Sequence, residues 1–279
     1  MGSRMTRRSF LKGAAGLTAW SALGSGACYS FWESGDLAPS ELRLPVRGLP
    51  AGFENVRIAF LTDFHRGVFI SQEFVLKVVE MAKALRPDMI LLGGDYVDYD
   101  PALIVPVMEA LGSLKAPLGV FAVLGNRDIR ANRILTSSEL SRQGITEITN
   151  KGVWLERLGS RLYLAGFDDV TLGYPDIPAG IASATPDAVI LALTHSPALV
   201  DRLMDPRIKL VCCGHTHGGQ INLPLIGTPI IPRGCGKYPV GVIQSPNAKV
   251  FVSAGIGVAY VPFRFRCPPE ISMLTLTAG

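Results

Sequence analysis

Across most of the chain, short apolar runs alternate with segments whose apolar residues recur at helical spacing. The apolar runs at 56–61, 89–92 and 119–124 are typical of buried strands, and each is followed by a polar cluster that contains glycine. Ser71 is predicted to cap a helix, because apolar residues follow it at intervals of three and four. Strands that alternate with helices in this way predict an α/β domain with helices packed outside sheets.

The second half of the chain is dominated by predicted strands. The remaining predictions are helices over 102–114, 131–143 and 197–204, short strands with turns within 145–167, and strands over 188–193, 208–212, 249–253 and 271–276. Residues 28–50 contain Gly35, Pro39, Pro45 and Pro50, which predict a loop-like linker. We therefore divide the chain into a segment 1–27, a linker 28–50 and a domain 51–279.

The composition indicates a folded core and argues against a nucleic-acid-binding protein. Of the 279 residues, 48% are hydrophobic and 18% are charged, which excludes intrinsic disorder. The formal net charge of +4 comes from basic residues within 1–27, a segment without Asp or Glu. The rest of the chain carries equal numbers of basic and acidic residues, so no nucleic-acid binding is expected.

Residues 1–27 have the features of an export signal. Arg7 and Arg8 precede a short stretch rich in Ala and Gly, and small residues at 25–27 form a cleavage pattern. The paired arginines resemble the twin-arginine signal, which predicts recognition by the twin-arginine export machinery and a location in the periplasm or at the outer face of the cytoplasmic membrane. The alternatives are an amphipathic anchor with peripheral membrane association and a lipoprotein attached at Cys28.

The cysteines form no metal-binding motif. None of the five lies in a CxxC pair, and the adjacent Cys212 and Cys213 are expected to be small buried residues. A disulfide between Cys235 and Cys267 is compatible with an oxidising compartment, and the sequence leaves this pairing open.

Histidine, carboxylate and amide side chains concentrate where predicted strands end, and all four histidines lie there. In chain order the candidate ligands are Asp63, His65, Asp95, Asn126, His195, His215 and His217. These groups suit divalent metal ions, and alternate residues of Asp-x-His or His-x-His lie on one face of an extended segment. Seven ligands exceed the needs of one ion and fit two ions that share a bridging carboxylate.

Five blocks of the sequence resemble, in order, the signature of the calcineurin-like metallophosphoesterases. They are Asp63-x-His65, Gly94-Asp95, Gly125-Asn126, His195 and Gly214-His215-x-His217. The resemblance covers about 56–279 and implies a four-layer α/β/β/α sandwich of two packed sheets with outer helices. It also implies a ligand assignment: Asp63, His65 and His217 for one metal ion, Asn126, His195 and His215 for the other, and Asp95 as the bridge.

More narrowly, the chain resembles a bacterial branch of twin-arginine-exported phosphodiesterases. This resemblance rests on Asp95-Tyr96, the run 213–220 and Pro269-Glu270-Ile271. It implies an exported hydrolase that cleaves P–O bonds, above all in phosphodiesters, with a hydroxide activated by two divalent ions. The expected partner is a phosphate-ester substrate, with a lipid-linked one left open. Mn, Fe, Zn and Mg all suit the ligand set.

One block departs from the family pattern, which often reads Gly-Asn-His-Glu/Asp. Here Arg127 takes the place of the histidine, and it is predicted to stabilise phosphoryl charge through its bidentate guanidinium. Arginine is a poor general acid because its pKa exceeds about 12, so leaving groups that need little protonation are favoured. Asp128 is assigned a catalytic role beside Arg127, or, with Asp98, a role in orienting ligands.

Two other functions compete with the exported phosphodiesterase. The Gly-Asn-Arg-Asp block also resembles that of the UDP-diacylglucosamine pyrophosphatases of lipid A synthesis, although the export signal argues against a cytosolic reaction. A non-catalytic metal-bound scaffold or envelope-binding protein would not need all seven ligands. For substrate binding we predict Arg66, Arg264 and Arg266; the run 260–266 forms either a substrate lip or a segment with one packed face.

Overall fold

The computed structural model describes residues 37–229, 231–259 and 261–279, which form two sheets and their flanking helices. The strands are β1 (Ala38–Val46), β2 (Arg57–Leu61), β3 (Met89–Leu92), β4 (Val120–Ala122), β5 (Thr146–Glu147), β6 (Lys151–Arg157), β7 (Ser160–Phe167), β8 (Ile190–Thr194), β9 (Ile208–Cys213), β10 (Gly241–Gln244), β11 (Lys249–Val252) and β12 (Glu270–Ala278). The α-helices are α1 (Gln72–Ala84), α2 (Ile104–Leu111), α3 (Asn126–Arg142) and α4 (Ile177–Ile181). Short 3-10 helices cover Ala51–Phe53, Pro101–Leu103, Pro197–Arg202 and His217–Gly219.

Each sheet has six strands and a parallel centre. The first sheet has the order β1-β12-β2-β3-β4-β5, and β2, β3, β4 and β5 run parallel. The second has the order β10-β11-β9-β8-β7-β6, in which β7, β8, β9 and β11 run parallel and the two edge strands are antiparallel to their neighbours. The carboxyl ends of the parallel strands therefore meet at one edge of each sheet.

Three apolar layers hold the two sheets and the helices together. Phe60 and Phe121 of the first sheet pack against Leu164 and Leu193 of the second, and all four are buried. Helices α1, α2 and α3 cover the outer face of the first sheet, where Val78, Met108 and Leu140 are buried against Ile90. The outer face of the second sheet packs against Leu199 of a 3-10 helix and Ile181 of α4. The predicted four-layer α/β/β/α sandwich is confirmed.

The helix predicted after Ser71 is confirmed, and α3 begins earlier than predicted. Ser71 Oγ accepts the Phe74 N–H at 3.1 Å, so it caps α1 as expected. The helix predicted over 131–143 is only the second part of α3, which kinks at Asn132. Asn132 Oδ1 accepts the Leu135 N–H at 3.0 Å and so caps this second part. The prediction from sequence therefore located the second part of α3 and missed the first turn, which carries Asn126.

The linker predicted over 28–50 is wrong in its second half, because Ala38–Val46 forms β1. This strand pairs in parallel with β12 along its whole length and buries Leu44 and Val46. Pro39 and Pro45 favoured a loop, but β1 lies at the edge of its sheet, where a residue without an N–H is tolerated. The predicted signal over 1–27 and the first part of the linker lie outside the described residues.

The described cysteines are buried, and no disulfide joins Cys235 to Cys267. Cys267 Sγ instead lies 3.2 Å from the backbone carbonyl oxygen of His217. Cys212 and Cys213 are the small buried residues expected from the sequence. Within the described ranges, no helix has both the length and the hydropathy needed to cross a membrane.

Candidate metal centre

The candidate ligands lie on loops that leave the carboxyl ends of five strands. Asp63 and His65 follow β2, Asp95 follows β3 and Asn126 follows β4 in the first sheet. His195 follows β8, and His215 and His217 follow β9, in the second sheet. In each sheet a backbone hydrogen bond joins two of these loops. Asp63 N–H donates to Gly94 O in the first sheet, and Gly214 N–H donates to His195 O in the second, both at 3.0 Å. The seven predicted ligands therefore meet where the two sheets come together.

Most of these ligands have left-handed backbone conformations. The φ angles of Asp63, His65, Asp95, His215 and His217 all lie between 49° and 70°. Such angles are uncommon for residues other than glycine, and they cluster where function requires a strained backbone. These left-handed conformations direct the carboxylate and imidazole groups into one buried site, which a regular turn would not do.

Asp63, His65 and His217 form the first group of ligands. His65 Nε2 and His217 Nε2 are 2.9 Å apart, and Asp63 Oδ1 lies 3.7 Å and 3.5 Å from them. The other oxygen of Asp63 accepts hydrogen bonds from the Thr62 hydroxyl and the His215 N–H, both at 2.8 Å. These bonds leave Asp63 Oδ1 facing the site with no hydrogen-bond partner.

Asp95, His195 and His215 form the second group. His195 Nε2 lies 3.0 Å from His215 Nδ1. The opposite nitrogen of each ring meets a backbone carbonyl: His195 Nδ1 is 2.8 Å from Gly93 O, and His215 Nε2 is 2.6 Å from Arg233 O. A carbonyl only accepts, so each of these outer nitrogens carries the proton. In neutral rings the two facing nitrogens then hold lone pairs, which require a positive charge between them.

Asp95 is placed to bridge the two groups. Its Oδ2 lies 3.4 Å from His65 Nε2 in the first group and 3.4 Å from His195 Nε2 in the second. Its other oxygen accepts the Arg127 N–H at 2.8 Å, which fixes the orientation of the carboxylate. One carboxylate oxygen thus faces both groups, as the ligand assignment implied by the family resemblance requires.

The side chain of Asn126 indicates that metal ions fit this site better than protons alone. Its Oδ1 is buried and accepts no hydrogen bond, as is also true of Asp63 Oδ1. A buried oxygen without a donor is costly unless a cation satisfies it. Two unpartnered oxygens beside facing imidazole nitrogens form a donor set suited to divalent ions, so the residues present fit a metal pair.

Without metal ions, one proton in each histidine pair is the alternative positive charge. Burial lowers the pKa of His195, but the charge and hydrogen bond of Asp95 outweigh it and raise that pKa to about 10. Burial also opposes protonation of His65, yet the carboxylates around it raise its pKa to about 9. Burial lowers the pKa values of the partner rings, His215 and His217. Each pair therefore takes up one proton rather than two.

A narrow cavity opens onto both ligand groups. Its lining consists of His65, Asp95, Asn126, Arg127, His215, His217, Pro232 and Ala259. Arg127 is buried, its Nη1 lies 3.5 Å from Asp98 Oδ1, and its guanidinium stacks over the Tyr99 ring at 4.2 Å. Apart from the candidate ligands, Arg127 is the one ionisable residue among these described lining residues.

The catalytic role predicted for Asp128 is corrected to a positioning role. Asp128 is fully buried and does not line the cavity. Its carboxylate accepts the backbone N–H groups of Asp95, Tyr96 and Gly125 at 2.7, 2.9 and 2.9 Å. Burial, together with the charge of Asp95, raises the pKa of Asp128 to about 7. Asp98 also lies behind a ligand, with Oδ1 3.6 Å from His65 Nδ1.

The three arginines predicted to bind substrate do not line the metal cavity. Arg264 is wholly buried, and its guanidinium donates to the carbonyl oxygens of Gly257, Ala254, Gly255 and Cys267. Its predicted substrate contact is therefore wrong. Arg66 Nη1 donates to the carbonyls of Gly67 and Ile70, which directs it to its own loop. Arg266 is exposed, and its role stays a prediction.

Several backbone groups that complete the site carry no sequence signal. The carbonyls of Gly93 and Arg233 fix the proton positions on His195 and His215, and every residue type has a carbonyl. Gly94 does carry a signal, as the glycine before Asp95. It has a φ of 90°, and a Cβ there would lie 2.3 Å from Gly125 N. Only glycine lets the loops after β3 and β4 approach so closely.

Comparison with known proteins agrees with this dinuclear site. A family model of calcineurin-like phosphoesterases matches residues 56–219. "Uncharacterized metallophosphoesterase YkuE" of Bacillus subtilis is 30% identical over 284 residues, covering 98% of each chain. "Phosphodiesterase YaeI" of Escherichia coli is 30% identical over 225 residues, covering 79% of this chain and 82% of that protein. A "Transmembrane protein with metallophosphoesterase domain" of Danio rerio is 29% identical, covering 85% of this chain and 56% of that protein.

The fold and the paired ligand groups define a dinuclear metallohydrolase. The chain belongs to the calcineurin-like phosphoesterase family, which uses a dinuclear divalent metal centre to hydrolyse phosphate esters.

Proposed function

We propose that the chain is an exported phosphodiesterase in which Arg127 binds the phosphoryl group beside the metal pair. The observation that carries this proposal is the position of Arg127, a buried cation that lines the metal cavity. Its backbone N–H holds Asp95 while its side chain faces the same cavity. A phosphodiester carries one negative charge on its two unesterified oxygens, which a planar guanidinium can bind as a pair.

The chain's own residues prepare the site for this reaction. When bound, the divalent pair supplies Lewis-acid activation of water and of the phosphoryl oxygens. Asp63, His65 and His217 would hold one ion, Asn126, His195 and His215 the other, and Asp95 both. The carbonyls behind His195 and His215 hold the protons of the outer ring nitrogens, so the inward nitrogens are the ones that would bind metal. Arg127 neutralises charge on the equatorial phosphoryl oxygens, where it develops in the transition state.

The cavity offers the leaving group no acidic side chain apart from the ligands, among the residues described there. The guanidinium of Arg127 is suited to stabilising charge on the phosphoryl oxygens and not to donating a proton to the leaving group. This favours esters whose leaving group is already weakly basic. A pyrophosphate bond meets that condition, which supports a second candidate, the UDP-diacylglucosamine pyrophosphatase suggested by the Gly125-Asn126-Arg127-Asp128 block.

Two further observations favour the exported phosphodiesterase over that second candidate. The relative YaeI bears the name phosphodiesterase and is similar over most of its length. Arg7 and Arg8 resemble the paired arginines of a twin-arginine export signal, whereas the pyrophosphatase reaction of lipid A synthesis takes place on the cytosolic side.

The test is hydrolysis by the purified full chain, stripped of metal and reloaded with single divalent ions. The substrates are an aryl phosphodiester, an aryl phosphomonoester and a UDP-diacyl sugar, and Asp95→Asn is the matched control. We expect metal-dependent cleavage of the diester above the monoester, lost in Asp95→Asn. Selective cleavage of the UDP-diacyl sugar would establish the second candidate instead. Two bound ions without turnover of any substrate would overturn both and favour a non-catalytic scaffold.

A further inference from the structure

An exposed apolar loop lies beside the metal centre and has no role in the site described above. We define the apolar loop as residues 221–229 and 231–232. Leu225 is fully exposed, Ile226 is 72% exposed and Ile231 is 46% exposed. Isolated exposed apolar side chains are normal, but three within one loop form a patch of the kind that marks an interaction site.

The tip of the apolar loop is a tight turn whose conformation does not favour its residue. Leu223 N–H donates to Gly227 O at 2.7 Å, and Gly227 N–H donates back to Leu223 O at 2.8 Å. Leu225 lies between them with a φ of 67°, in the left-handed region that Gly or Asn adopts more readily. Leucine is thus disfavoured here both by its backbone and by its exposure to water. Leucine at this position therefore does not stabilise the fold, which suggests that its side chain contacts a binding partner.

The segment of the chain that contains the apolar loop is basic. No Asp or Glu occurs between Asp205 and Glu270, whereas seven basic residues do. Exposed Arg233 directly follows the loop, and exposed Arg266 adjoins Phe265, which pairs with Ile221 at the other end of the loop. Lys237, further along, is held by Asp201 at 3.1 Å. An apolar tip flanked by arginines complements a surface with an apolar interior and anionic head groups.

The apolar loop is also joined to the metal centre. Pro232 lines the metal cavity, and the carbonyl of the next residue, Arg233, accepts the proton of His215. Ile221 and Pro232 line a second, mostly apolar cavity of about 80 Å³ that shares His217 with the metal cavity. Both ends of the apolar loop therefore line cavities at the metal centre.

We propose that the apolar loop docks the protein onto an anionic lipid bilayer. Leu225 and Ile226 insert among the acyl chains, while Arg233 and Arg266 lie at the level of the lipid phosphates. Docking in this way holds the metal cavity at the membrane surface. If the proposed phosphodiesterase function is correct, phosphate esters carried by membrane lipids are then the substrate class, and the small apolar cavity is placed to hold an alkyl group next to the reacting phosphate.

The test is co-sedimentation of the full chain with vesicles of phosphatidylcholine, with and without phosphatidylglycerol. The variant Leu225→Asn/Ile226→Gln removes the apolar tip, and asparagine suits the left-handed position. The matched control is Leu158→Asn, since Leu158 is 82% exposed with a φ of 50°. Leu158 lies between β6 and β7, at the end of the second sheet opposite to His195. We expect binding to anionic vesicles to fall roughly tenfold or more in the double variant and to stay unchanged in the control.

A second measurement separates the apolar loop from the basic segment 1–27, which can itself bind anionic lipid. In Leu225→Trp, emission from the new indole should shift to shorter wavelength when anionic vesicles are added. The same vesicles should leave the emission of Leu158→Trp unchanged. Equal vesicle binding by wild type and double variant, with no shift in Leu225→Trp, would overturn the proposal. A second result would also overturn it: the wild type self-associates with increasing concentration and binds no vesicles, and the double variant no longer self-associates. In that case the apolar loop contacts a second copy of the chain.

Hydrolysis of a soluble aryl phosphodiester distinguishes failure of this proposal from failure of the proposed function. Leu225 and Ile226 contact neither ligand group, so the double variant should hydrolyse the soluble ester at the wild-type rate. Loss of vesicle binding with soluble activity intact supports docking. Vesicle binding by a chain inactive on every ester would leave docking standing and overturn the function.

Discussion

The carboxylate of Asp128 lies directly behind Asp95 and accepts its backbone N–H at 2.7 Å. The same carboxylate accepts the N–H groups of Tyr96 and Gly125, so it joins the loop after β3 to the start of α3. The loop after β3 carries the bridging ligand, and α3 begins with Asn126. One buried side chain thus sets the relative position of Asp95, which faces both ligand groups, and the candidate ligand Asn126.

Replacing Asp128 with asparagine should weaken metal binding without removing a ligand. The asparagine amide has one acceptor oxygen, and its NH₂ group would face backbone N–H donors that it cannot satisfy. We expect affinity for the metal pair to fall about 10–100-fold, the usual cost of losing a group that orients ligands. Metal titration followed by elemental analysis measures this change.

The control for that experiment is Asp100→Asn. Asp100 Oδ1 caps a 3-10 helix by accepting the Ala102 N–H, and asparagine caps equally well. Metal affinity and thermal stability should match the wild type in this control. Wild-type metal affinity in Asp128→Asn would show that the three backbone bonds do not position Asp95.

Arg127→Ala should lower turnover while metal content is preserved. Arg127 donates its backbone N–H to the candidate ligand Asp95, and alanine retains that group. Loss of a preorganised charge on the phosphoryl oxygens should lower kcat about 100-fold. Because arginine does not protonate the leaving group, the loss should be similar for aryl diesters with strongly and weakly acidic phenols.

Arg130→Ala is the matched control on the same helix. Arg130 is exposed and lies 5.4 Å from the Tyr99 ring, outside the metal cavity. Its kcat should stay within about twofold of wild type, since exposed cation–π contacts are weak. A loss in Arg127→Ala that grows steeply as the phenol becomes less acidic would contradict a purely electrostatic role.

The convergence of the candidate ligands was predictable from the sequence because their positions follow from strand topology. Parallel strands end at one edge, so polar residues after β2, β3, β8 and β9 must converge. The roles of the arginines were not predictable in the same way. Nothing in the sequence marks an arginine as buried. The five N–H groups of the Arg264 guanidinium allow it to be buried, because they can donate to a cluster of backbone carbonyls. The edge strand β1 was missed because prolines are normal signals of loops.

Arg264→Lys should destabilise the fold rather than impair substrate binding. Arg264 donates to the carbonyls of Gly257, Ala254, Gly255 and Cys267, and its Nη2 lies 3.3 Å from His217 Nδ1. A lysine ammonium cannot reach all of these carbonyls, so buried acceptors lose their donors. We expect the free energy of unfolding to fall by about 3 kcal/mol. KM for an aryl diester should stay unchanged in the protein that remains folded.

The control is Arg266→Lys, which alters an exposed arginine two residues away. Chemical denaturation should place its unfolding free energy within about 0.5 kcal/mol of the wild type, as is usual for surface substitutions. A raised KM in Arg264→Lys together with wild-type stability would restore the substrate contact predicted from the sequence.

Metal loading at pH 7 should release about two protons, one from each histidine pair. The pKa values of about 9 for His65 and about 10 for His195 mean that both rings are protonated at pH 7 before metal binds. Metal ions displace these protons, so apparent affinity should increase with pH until it passes the two pKa values, by up to tenfold per pH unit for each proton released. Calorimetric titration in two buffers of different ionisation enthalpy counts the protons directly. In His65→Asn the count should fall by about one, whereas a wild-type count of zero at pH 7 would show that the facing nitrogens are unprotonated before the metal arrives.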